Sequence, residues 1–494
     1  MALTLAIDLG TTNLKVGLIN EKGGILSLAS EGIVTESREP GEAEHDPEAI
    51  MQLIFQLCKK VLQDENKSDV RFIISSTYHF GLMMLDEQRK PLTGMTLLSD
   101  TRSQSTFSDF AERFSGADLY QKTGCPLISQ YILPRLYYFS KEKRALLDRA
   151  KYFHDSKSFL FERLTGEWVT DISTAAATQL FNAHDLKWDR EILSSVHLSS
   201  EQFPVPADGT KYQAPLKKQI LESLGLSGDV QVILGVYDGA VLGFGLSGLR
   251  ENVGLVNIGT TAMLRVPGRN PVFDKNENKR IQAYALDTKV FLNGGALNNA
   301  ALPLDWMKNN LFNVDLQDPL LLQLTGEPPL MALPYLTGER DSKTGPFASG
   351  VFFGVRRYHR QTDFVRSVLE GVAYSMRYLY DALKENDLSV EEIRMGGGGV
   401  NINAWPQIFA DVLGVPVNIP PTKEIALVGN ALLAFTAGAV FANYEEAAAL
   451  MLKGGKTIEP DNSRVKVRND HYAFYKKLRE QLGPLFQEHS SLRF

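Results

Sequence analysis

A short pattern that occurs twice is the sequence feature that most limits how this chain can fold. Asp8–Thr12 reads Asp-Leu-Gly-Thr-Thr and Asn257–Thr261 reads Asn-Ile-Gly-Thr-Thr, and each stands between two short apolar runs. One such turn taken alone is best interpreted as an ordinary hairpin turn. Two of them in the same context, one near the start of each half, indicate two related domains that face each other across a cleft.

The order of the predicted elements agrees with two domains. In both halves, apolar runs of strand length alternate with helical patterns, which is typical of an α/β protein. The length of 494 residues suits two large domains. A break that contains glycine and charge, Gly248–Glu251, separates two apolar segments. We therefore predict domains at residues 1–248 and 249–494.

The two Gly-Thr-Thr turns have the chemistry of phosphate-binding loops. Glycine lets the backbone approach an anion closely, and successive N–H groups form a concavity that favours phosphate. Two turns on opposite domains would hold the β- and γ-phosphates of ATP from both sides. Asp8, just before the first turn, is suited to bind Mg²⁺ through water. The predicted phosphate contacts are Gly10, Thr11, Thr12, Lys15, Gly259, Thr260 and Thr261. For Lys15 the alternative is that it caps the strand end.

A carboxylate at the end of an apolar strand is the candidate general base. Asp238 follows the apolar run Val232–Val236 and precedes a helical pattern of small residues, Ala240–Gly248. Open α/β sheets bind ligands at the carboxyl ends of strands, close to helix N-termini. Phosphoryl transfer to a hydroxyl needs a group that takes up the proton. The alternative is that Asp238 only caps the helix or forms an Asp-Gly turn.

A glycine run, Gly396–Gly399, lies between a predicted strand and a predicted helix. Because glycines leave the backbone bare, a flat adenine ring could lie against this run. The alternative interpretation is that the run is a flexible loop. The run lacks the context of a dinucleotide-binding G-x-G-x-x-G motif. Gly455–Thr457 resembles the end of a Walker motif, but Leu450 stands where that motif requires glycine.

Composition and charge argue against several other functions. The net charge of −6 gives no attraction to nucleic acid. Cys58 and Cys125 lack zinc-like spacing, and such sparse cysteine usage is typical of a reducing compartment. Ile425–Ala442 carries no charge, but its glycines, asparagine and many alanines favour a buried helix over a membrane span. No basic region precedes the strand-like run Leu3–Ile7. We expect a cytoplasmic protein with neither a nucleic-acid nor a membrane partner.

Several longer segments resemble the FGGY family of carbohydrate kinases, and the similarity spans nearly the whole chain. It is strongest for the family's C-terminal signature, at Gly350–Val355 followed by Asp363–Glu370. Further similar segments are Pro334–Arg340, Leu164–Glu167 with Thr170–Asp171, and Asp100–Arg102. The resemblance implies two ribonuclease H-like domains of the actin and hexokinase ATPase type, which flank a deep cleft. It also implies that the first domain binds most of the sugar and the second most of the ATP.

The same resemblance implies roles for individual residues. It makes Asp238 the general base and both Gly-Thr-Thr turns phosphate loops. Gly397 and Gly398 match the family's adenine segment, with Asn403 as a contact to the base or the ribose. The implied sugar contacts are His79, Asp100, Arg102, Tyr131 and Asp238.

Departures from the family pattern lie on the sugar side and leave the substrate open. Thr77–Gly81 stands where the family often reads Gln-Met-His-Gly. Leu98 replaces a common tryptophan, Arg135 a usual lysine, and Tyr237 a usual small residue. These changes concern the choice of substrate rather than the chemistry of ATP.

Gluconate is the leading substrate hypothesis, because Gly294–Asn299 followed by Trp306 looks most like gluconate kinases. Arg102, or Arg135, would hold a carboxylate through its planar guanidinium, unless both arginines are paired structurally. Xylulose, ribulose or another ketose is the alternative substrate. A non-catalytic, actin-like sugar sensor that binds ATP is the alternative of a different class. By analogy with the family, a homodimer is a further hypothesis.

Overall fold

The computed structural model describes residues 2–62, 67–312, 315–324, 329–340 and 345–492. Each half of the chain is built on one large mixed sheet with helices packed against it. The strands of the first half are β1 (Leu3–Leu9), β2 (Asn13–Asn20), β3 (Ile25–Gly32), β4 (Glu44–His45), β5 (Val70–Thr77), β6 (Met83–Leu85), β7 (Met95–Thr96), β8 (Tyr152–His154), β9 (Val169–Asp171), β10 (Phe181–Asn182), β11 (Lys187–Trp188), β12 (Val205–Ala207), β13 (Gln213–Pro215) and β14 (Gln231–Ile233). Its helices are α1 (Pro47–Val61), α2 (Phe107–Arg113), α3 (Gly116–Thr123), α4 (Ile132–Glu142), α5 (Arg144–Arg149), α6 (Ser156–Thr165), α7 (Ile172–Ala176), α8 (Arg190–Ser195), α9 (Lys218–Leu224) and α10 (Asp238–Ser247).

The second half continues the same alternation of strands and helices. Its strands are β15 (Val253–Ile258), β16 (Ala262–Gly268), β17 (Gln282–Ala285), β18 (Phe291–Leu297), β19 (Met331–Leu333), β20 (Val351–Phe353), β21 (Glu392–Gly396), β22 (Val417–Ile419) and β23 (Lys456–Ile458). Its helices are α11 (Leu302–Asn310), α12 (Gln361–Glu385), α13 (Ala404–Leu413), α14 (Ile425–Ala437), α15 (Tyr444–Met451) and α16 (Asn462–Ser491).

The two large sheets have equivalent topology. The first has the strand order β13-β14-β5-β1-β2-β3, and the second has β17-β18-β16-β15-β21-β22-β23. β1 pairs antiparallel with β2 and parallel with β5, and β15 pairs in the same two ways with β16 and β21. Each Gly-Thr-Thr turn therefore joins the corresponding pair of strands in its own sheet. The repeat in the sequence reflects a repeat in the fold.

The boundary between the halves is a sharp turn. α10 ends at Ser247 and is capped by Gly248, whose positive φ of 64° is a left-handed conformation that glycine adopts without steric cost. Leu249 and Asn252 also have positive φ, and β15 starts at Val253. The chain thus changes direction close to the predicted break at Gly248–Glu251.

Two apolar helices, α10 and α14, pack tightly against each other. A Cβ on Gly245 would lie 2.1 Å from the Ile425 carbonyl oxygen, and one on Gly429 would lie 2.4 Å from the Val241 carbonyl oxygen. Such short distances mean that only glycine permits this close approach of the two backbones. α14 also packs on β1 and β5, although it belongs to the second half of the chain.

The uncharged segment that was predicted as a buried helix is α14, and it ends earlier than the sequence suggested. It stops at Ala437 rather than Ala442, because Ala439 adopts a positive φ of 58°, which interrupts the helical backbone. Leu427 and Leu432 are completely buried in the same core as Ala6. Within the described part of the chain, no helix has the length and apolar character needed to cross a bilayer.

Candidate active site

A cleft between the two halves brings both Gly-Thr-Thr turns and Asp238 together. It encloses about 1100 Å³, part of it open to solvent. The lining residues that matter below are Asp8, Gly10, Thr11, His79, Tyr237, Asp238, Thr261, Arg265 and Arg340. The carboxyl ends of β1 and β15 face this space, as expected for ligand sites in α/β folds.

Asp238 is the first residue of α10 and its carboxylate is oriented by two neighbours. The Gly239 N–H donates to Oδ1 at 2.7 Å, and His79 Nδ1 lies 3.5 Å from the same oxygen. The N-terminal end of a helix favours a negative charge. The side chain remains 36% exposed to the cleft, so it is accessible to a ligand.

Asp8 stands at the end of β1 within a chain of polar contacts. The Ser76 hydroxyl donates to Asp8 Oδ1 at 2.7 Å. The Asn430 amide of α14 donates to Ser76 at 2.8 Å and to the Ile7 carbonyl at 3.1 Å. Burial raises the pKa of Asp8 to about 6, with a further contribution from the negative charge of Asp238.

These acids fit the requirements of Mg²⁺, which proteins usually bind through one or two carboxylates together with phosphate oxygens and water. A cation would relieve the repulsion between Asp8 and Asp238. The described residues contain no cluster of three or more acidic, histidine or cysteine ligands that would bind a metal on its own.

Each Gly-Thr-Thr turn contributes one threonine to the lining of the cleft, Thr11 from the first turn and Thr261 from the second. In the first turn the Gly10 N–H donates to the Asn13 carbonyl, while Thr11 and Thr12 are exposed. In the second turn the Gly259 N–H donates to the Thr261 carbonyl at 2.9 Å, and Thr260 and Thr261 are exposed. Both turns therefore leave hydroxyl groups available at the ends of their strands.

Lys15 does not extend freely into the cleft. Its Nζ forms an ion pair with Glu424 Oε2 at 2.7 Å, just before α14. Of the two roles considered for Lys15, this contact favours the structural one at the end of the strand.

The glycine run lies beside the second turn because Gly396 pairs with Asn257 across β21 and β15. Gly397 has a φ of 86°, and a Cβ there would meet the Ile258 carbonyl oxygen at 2.4 Å. A Cβ on Gly398, by contrast, would have nothing within 4 Å. Asn403 precedes α13 and is exposed. Open space beside Gly398 next to a phosphate turn suits a flat base.

The two arginines considered for a substrate carboxylate are both paired within the protein. Arg102 Nη2 lies 2.6 Å from a carboxylate oxygen of Asp100 and 2.6 Å from one of Glu44. Its Nη1 lies 3.4 Å from Glu39 and 3.7 Å from Glu42.

Arg135 is fully buried and donates to the carbonyls of Phe80 and Leu97 and to the Thr96 hydroxyl. Neither Arg135 nor the pair Asp100 and Arg102 is among the lining residues of the cleft. The structural pairing, which the sequence left as the alternative, is the one observed.

Tyr131 lies behind the wall of the cleft. It is completely buried, and its hydroxyl is 2.5 Å from the Tyr284 hydroxyl of the other half. The Gln282 amide donates to the same Tyr131 oxygen at 3.3 Å. Tyr131 therefore supports residues that line the cleft rather than lining it.

Two cleft arginines, Arg265 and Arg340, were missed by sequence reasoning. Arg265 is on β16, four residues after Thr261, and only 4% of it is exposed. Its Nε and Nη1 have no hydrogen-bond partner among the described residues. An arginine inside the otherwise apolar run Ala262–Val266 was the available signal.

Comparison with known proteins agrees with this arrangement. Residues 3–245 match the N-terminal domain model, and residues 254–438 the C-terminal domain model, of the FGGY family of carbohydrate kinases. The chain is 28% identical over 444 residues to a gluconokinase of Bacillus subtilis, with 87% of this chain and 86% of the relative covered. It is 25% identical over 483 residues to a xylulose kinase of Staphylococcus xylosus, with 97% and 100% covered.

The fold also agrees with a solved structure over the full chain. The crystal structure of a gluconate kinase from Lactobacillus acidophilus superposes with a TM-score of 0.92 at 25% identity, covering 99% of this chain and 100% of that one. The prediction of two actin- and hexokinase-type domains around a cleft is thereby confirmed. Both halves of the chain match their family models, the fold agrees throughout, and a carboxylate faces two repeated turns across one cleft, so this chain belongs to the FGGY family of carbohydrate kinases.

Proposed function

We propose that the protein transfers the γ-phosphoryl group of ATP to a hydroxyl group of a small sugar acid, with gluconate as the best candidate. The observation that supports this most is the position of Asp238, at the start of α10 in the same cleft as Thr11 and Thr261. One carboxylate thus lines the same cleft as two turns that are chemically suited to phosphate.

In the proposed reaction, Asp238 accepts the proton of the substrate hydroxyl as that oxygen attacks the γ-phosphorus, and the bond from the γ-phosphorus to the β,γ-bridging oxygen breaks to release ADP. His79 hydrogen-bonds the sugar and keeps the carboxylate in place, since its Nδ1 is 3.5 Å from Asp238. The N–H groups and hydroxyls of Gly10–Thr12 and Gly259–Thr261 hold the phosphates in line with the attack. Asp8 would hold Mg²⁺ through water, and the cation would supply neutralisation of the negative charge on the phosphates.

The nucleotide base would lie against Gly397 and Gly398, with Asn403 nearby. The open space at Gly398 and the contact of Gly397 with the second turn support this placement. Closure of the two domains would exclude water, which otherwise competes with the sugar hydroxyl for the phosphoryl group.

Gluconate ranks first because the gluconokinase of Bacillus subtilis is 28% identical to this chain, against 25% for the xylulose kinase of Staphylococcus xylosus. The margin is small, and the xylulose kinase match covers more of the chain. A ketose is therefore the second candidate substrate. We also propose a cytoplasmic location, since Cys58 and Cys125 are both buried as free thiols.

An assay of ADP release with Mg²⁺-ATP tests the proposal against gluconate, xylulose, ribulose and glycerol. Gluconate is expected to give the highest kcat/KM. Turnover of a ketose alone would support the proposed kinase activity and reject the proposal that the substrate is a sugar acid. ATP binding without transfer to any of these substrates would favour the non-catalytic sugar sensor instead.

A further inference from the structure

Arg265 is a buried cation with unused hydrogen-bond donors in the cleft wall. It is 96% buried, since only 4% of it is exposed. Its Nη2 donates to Gln282 Oε1, whereas Nε and Nη1 have no acceptor among the described residues. Three of its five N–H bonds, one on Nε and two on Nη1, therefore have no well-aligned hydrogen-bond acceptor, although the guanidinium is always charged.

The surroundings of Arg265 fix its orientation. Its guanidinium carbon lies 5.0 Å from the centre of the Tyr284 ring, at cation–π distance. Gln282, which accepts from Arg265, donates to Tyr131, and Tyr131 shares a hydrogen bond with Tyr284. Residues of both halves therefore hold the guanidinium rigidly, so its open donors keep a defined direction.

A second unused polar group lies in the same wall. Tyr237 is 2% exposed and lines the cleft next to Asp238, and its hydroxyl lies beside the Arg265 guanidinium without a well-aligned hydrogen bond to any described residue. Buried polar groups without partners are rare and cost free energy unless a ligand satisfies them. Two such donors in one wall indicate a negatively charged ligand group that accepts from both.

The position of Arg265 on β16 separates this anion from the phosphate turn. Arg265 is four residues beyond Thr261 along the strand, which places their Cα atoms about 13 Å apart at strand rise. Tyr237, in turn, directly precedes Asp238 in the sequence. The anion therefore belongs to the sugar end of the cleft, on the far side of the reacting hydroxyl from the phosphates.

We propose that Arg265, assisted by the Tyr237 hydroxyl, binds the carboxylate of an open-chain sugar acid and thereby sets the substrate class. This rests on the proposed kinase function. The carboxylate at one end of the acid accepts from Arg265 Nε and Nη1, and a hydroxyl further along the acid reaches Asp238. A guanidinium is suited to this task because its fork matches a carboxylate bidentately. Neutral ketoses leave these donors unsatisfied and are correspondingly poor substrates.

The test compares gluconate with gluconamide, which differ in the charge of one end group. In the wild-type protein, kcat/KM for gluconate should exceed that for gluconamide. In Arg265→Gln the ratio of the two should fall by about 10- to 100-fold, the effect of losing charge-assisted hydrogen bonds. Arg265→Lys should recover part of the ratio, and Tyr237→Phe should lower it less than Arg265→Gln does. Thermal unfolding of each variant checks that the fold is retained.

Other results would overturn the inference. An unchanged ratio, with both substrates slowed equally, would mean that Arg265 contacts the phosphates or only supports the wall. Efficient turnover of xylulose without turnover of gluconate would support the proposed kinase activity but reject the proposed carboxylate site at Arg265.

If the wild-type protein phosphorylates nothing, the kinase proposal fails, and calorimetric binding of gluconate and gluconamide still decides the role of Arg265. Tighter binding of gluconate that disappears in Arg265→Gln supports the carboxylate site. Equal binding of the two ligands, or none, rejects it.

Discussion

His79 Nδ1 lies 3.5 Å from Asp238 Oδ1, although the two residues belong to distant parts of the first half of the chain. The His79 ring is held by Phe80, at a centroid distance of 3.9 Å, and by Tyr237, at 5.0 Å. Gly239 donates to the same Oδ1. Both described contacts thus orient one carboxylate oxygen, which leaves Oδ2 to accept a proton from a substrate hydroxyl.

Replacing the proposed base should abolish transfer without preventing binding. For Asp238→Asn we expect kcat to fall by about 10²- to 10⁴-fold, because the amide cannot take up the proton. ATP binding, measured by calorimetry, should change little. Asp185→Asn, at an exposed aspartate outside the cleft, is the matched control. Near-normal turnover of Asp238→Asn would reject the assignment.

We expect the ionised carboxylate of Asp8 to lower the stability of the folded protein at neutral and higher pH. Its folded-state pKa of about 6 is above the unfolded value of 3.8, so the folded state binds the proton more tightly. Stability is therefore lost as the pH rises from about 4 through about 6. Without metal or nucleotide, Asp8→Asn should be more stable than wild type at pH 8, by about 1–3 kcal/mol, and nearly equal at pH 4.

Urea unfolding at these two pH values measures the difference. The same variant should transfer phosphate poorly and require more Mg²⁺. Lower stability than wild type at both pH values would contradict this account of Asp8.

The pairing of Arg102 with buried acids predicts a structural defect when it is removed. Arg102→Met leaves Glu44 and Asp100, both 2% exposed, without their cation. The free energy of unfolding should fall by about 3–5 kcal/mol at pH 7, and by less at low pH, where the carboxylates gain protons. Arg269→Met, at a side chain that is 82% exposed, is the control.

Chemical denaturation of both arginine variants provides the measurement. Normal stability of Arg102→Met together with a selective loss of gluconate over gluconamide would instead place Arg102 at the substrate.

The contact between α10 and α14 predicts that Gly245 tolerates no side chain. In Gly245→Ala the new Cβ would lie 2.1 Å from the Ile425 carbonyl oxygen, so one helix must shift. We expect a loss of about 1–3 kcal/mol in stability. We also expect a lower kcat, because α10 begins at Asp238. Gly483→Ala, where a Cβ has nothing within 4 Å, should be neutral or slightly stabilising. Equal stability of the two variants would refute the steric argument.

The open space at Gly398 predicts a specific effect on the nucleotide. Gly398→Leu should fold normally but raise the KM for ATP by about tenfold or more, equivalent to about 1.4 kcal/mol of binding, while the KM for the sugar stays the same. Gly483→Leu controls for the added apolar surface. Steady-state kinetics with each substrate varied in turn distinguish the two cases. A change in the KM for the sugar alone would contradict the placement of the adenine base at Gly398.

Local patterns allowed much of the fold to be predicted. In the sequence, Ile50, Ile54, Leu57 and Val61 are spaced as one face of a helix, which predicts a helix over Pro47–Leu62, and α1 ends a single residue earlier, at Val61. The segment Ala404–Leu413, which follows the glycine run, likewise predicts a helix, and α13 has those bounds. Strong amphipathic patterns define such helices without help from distant residues. At the C-terminal end, the amphipathic pattern predicts a helix only over Asp470–Gln487. α16 begins earlier, at Asn462, because its first turns are polar and are stabilised by the cap at Asp461.

The polar partners of individual side chains could not be predicted in the same way. The carboxylates of Glu39, Glu42 and Glu44 come from a segment about 60 residues before Arg102, and no local pattern connects the two. Likewise, the lack of acceptors for Arg265 depends on Tyr284 and Gln282 around it. Such contacts are set by the tertiary fold, which periodicity does not describe.

The packing of α14 has a consequence for how the protein is made on the ribosome. Asn430 hydrogen-bonds the Ile7 carbonyl, and Glu424 pairs with Lys15, so the first sheet is completed by residues that are translated more than 400 positions later. Until then, the nascent chain exposes the apolar face of β1 and β5 that α14 later covers. The first half therefore lacks part of its core until α14 has been made. During synthesis, the exposed apolar surface on β1 and β5 is prone to aggregation until chaperones or the second half of the chain cover it.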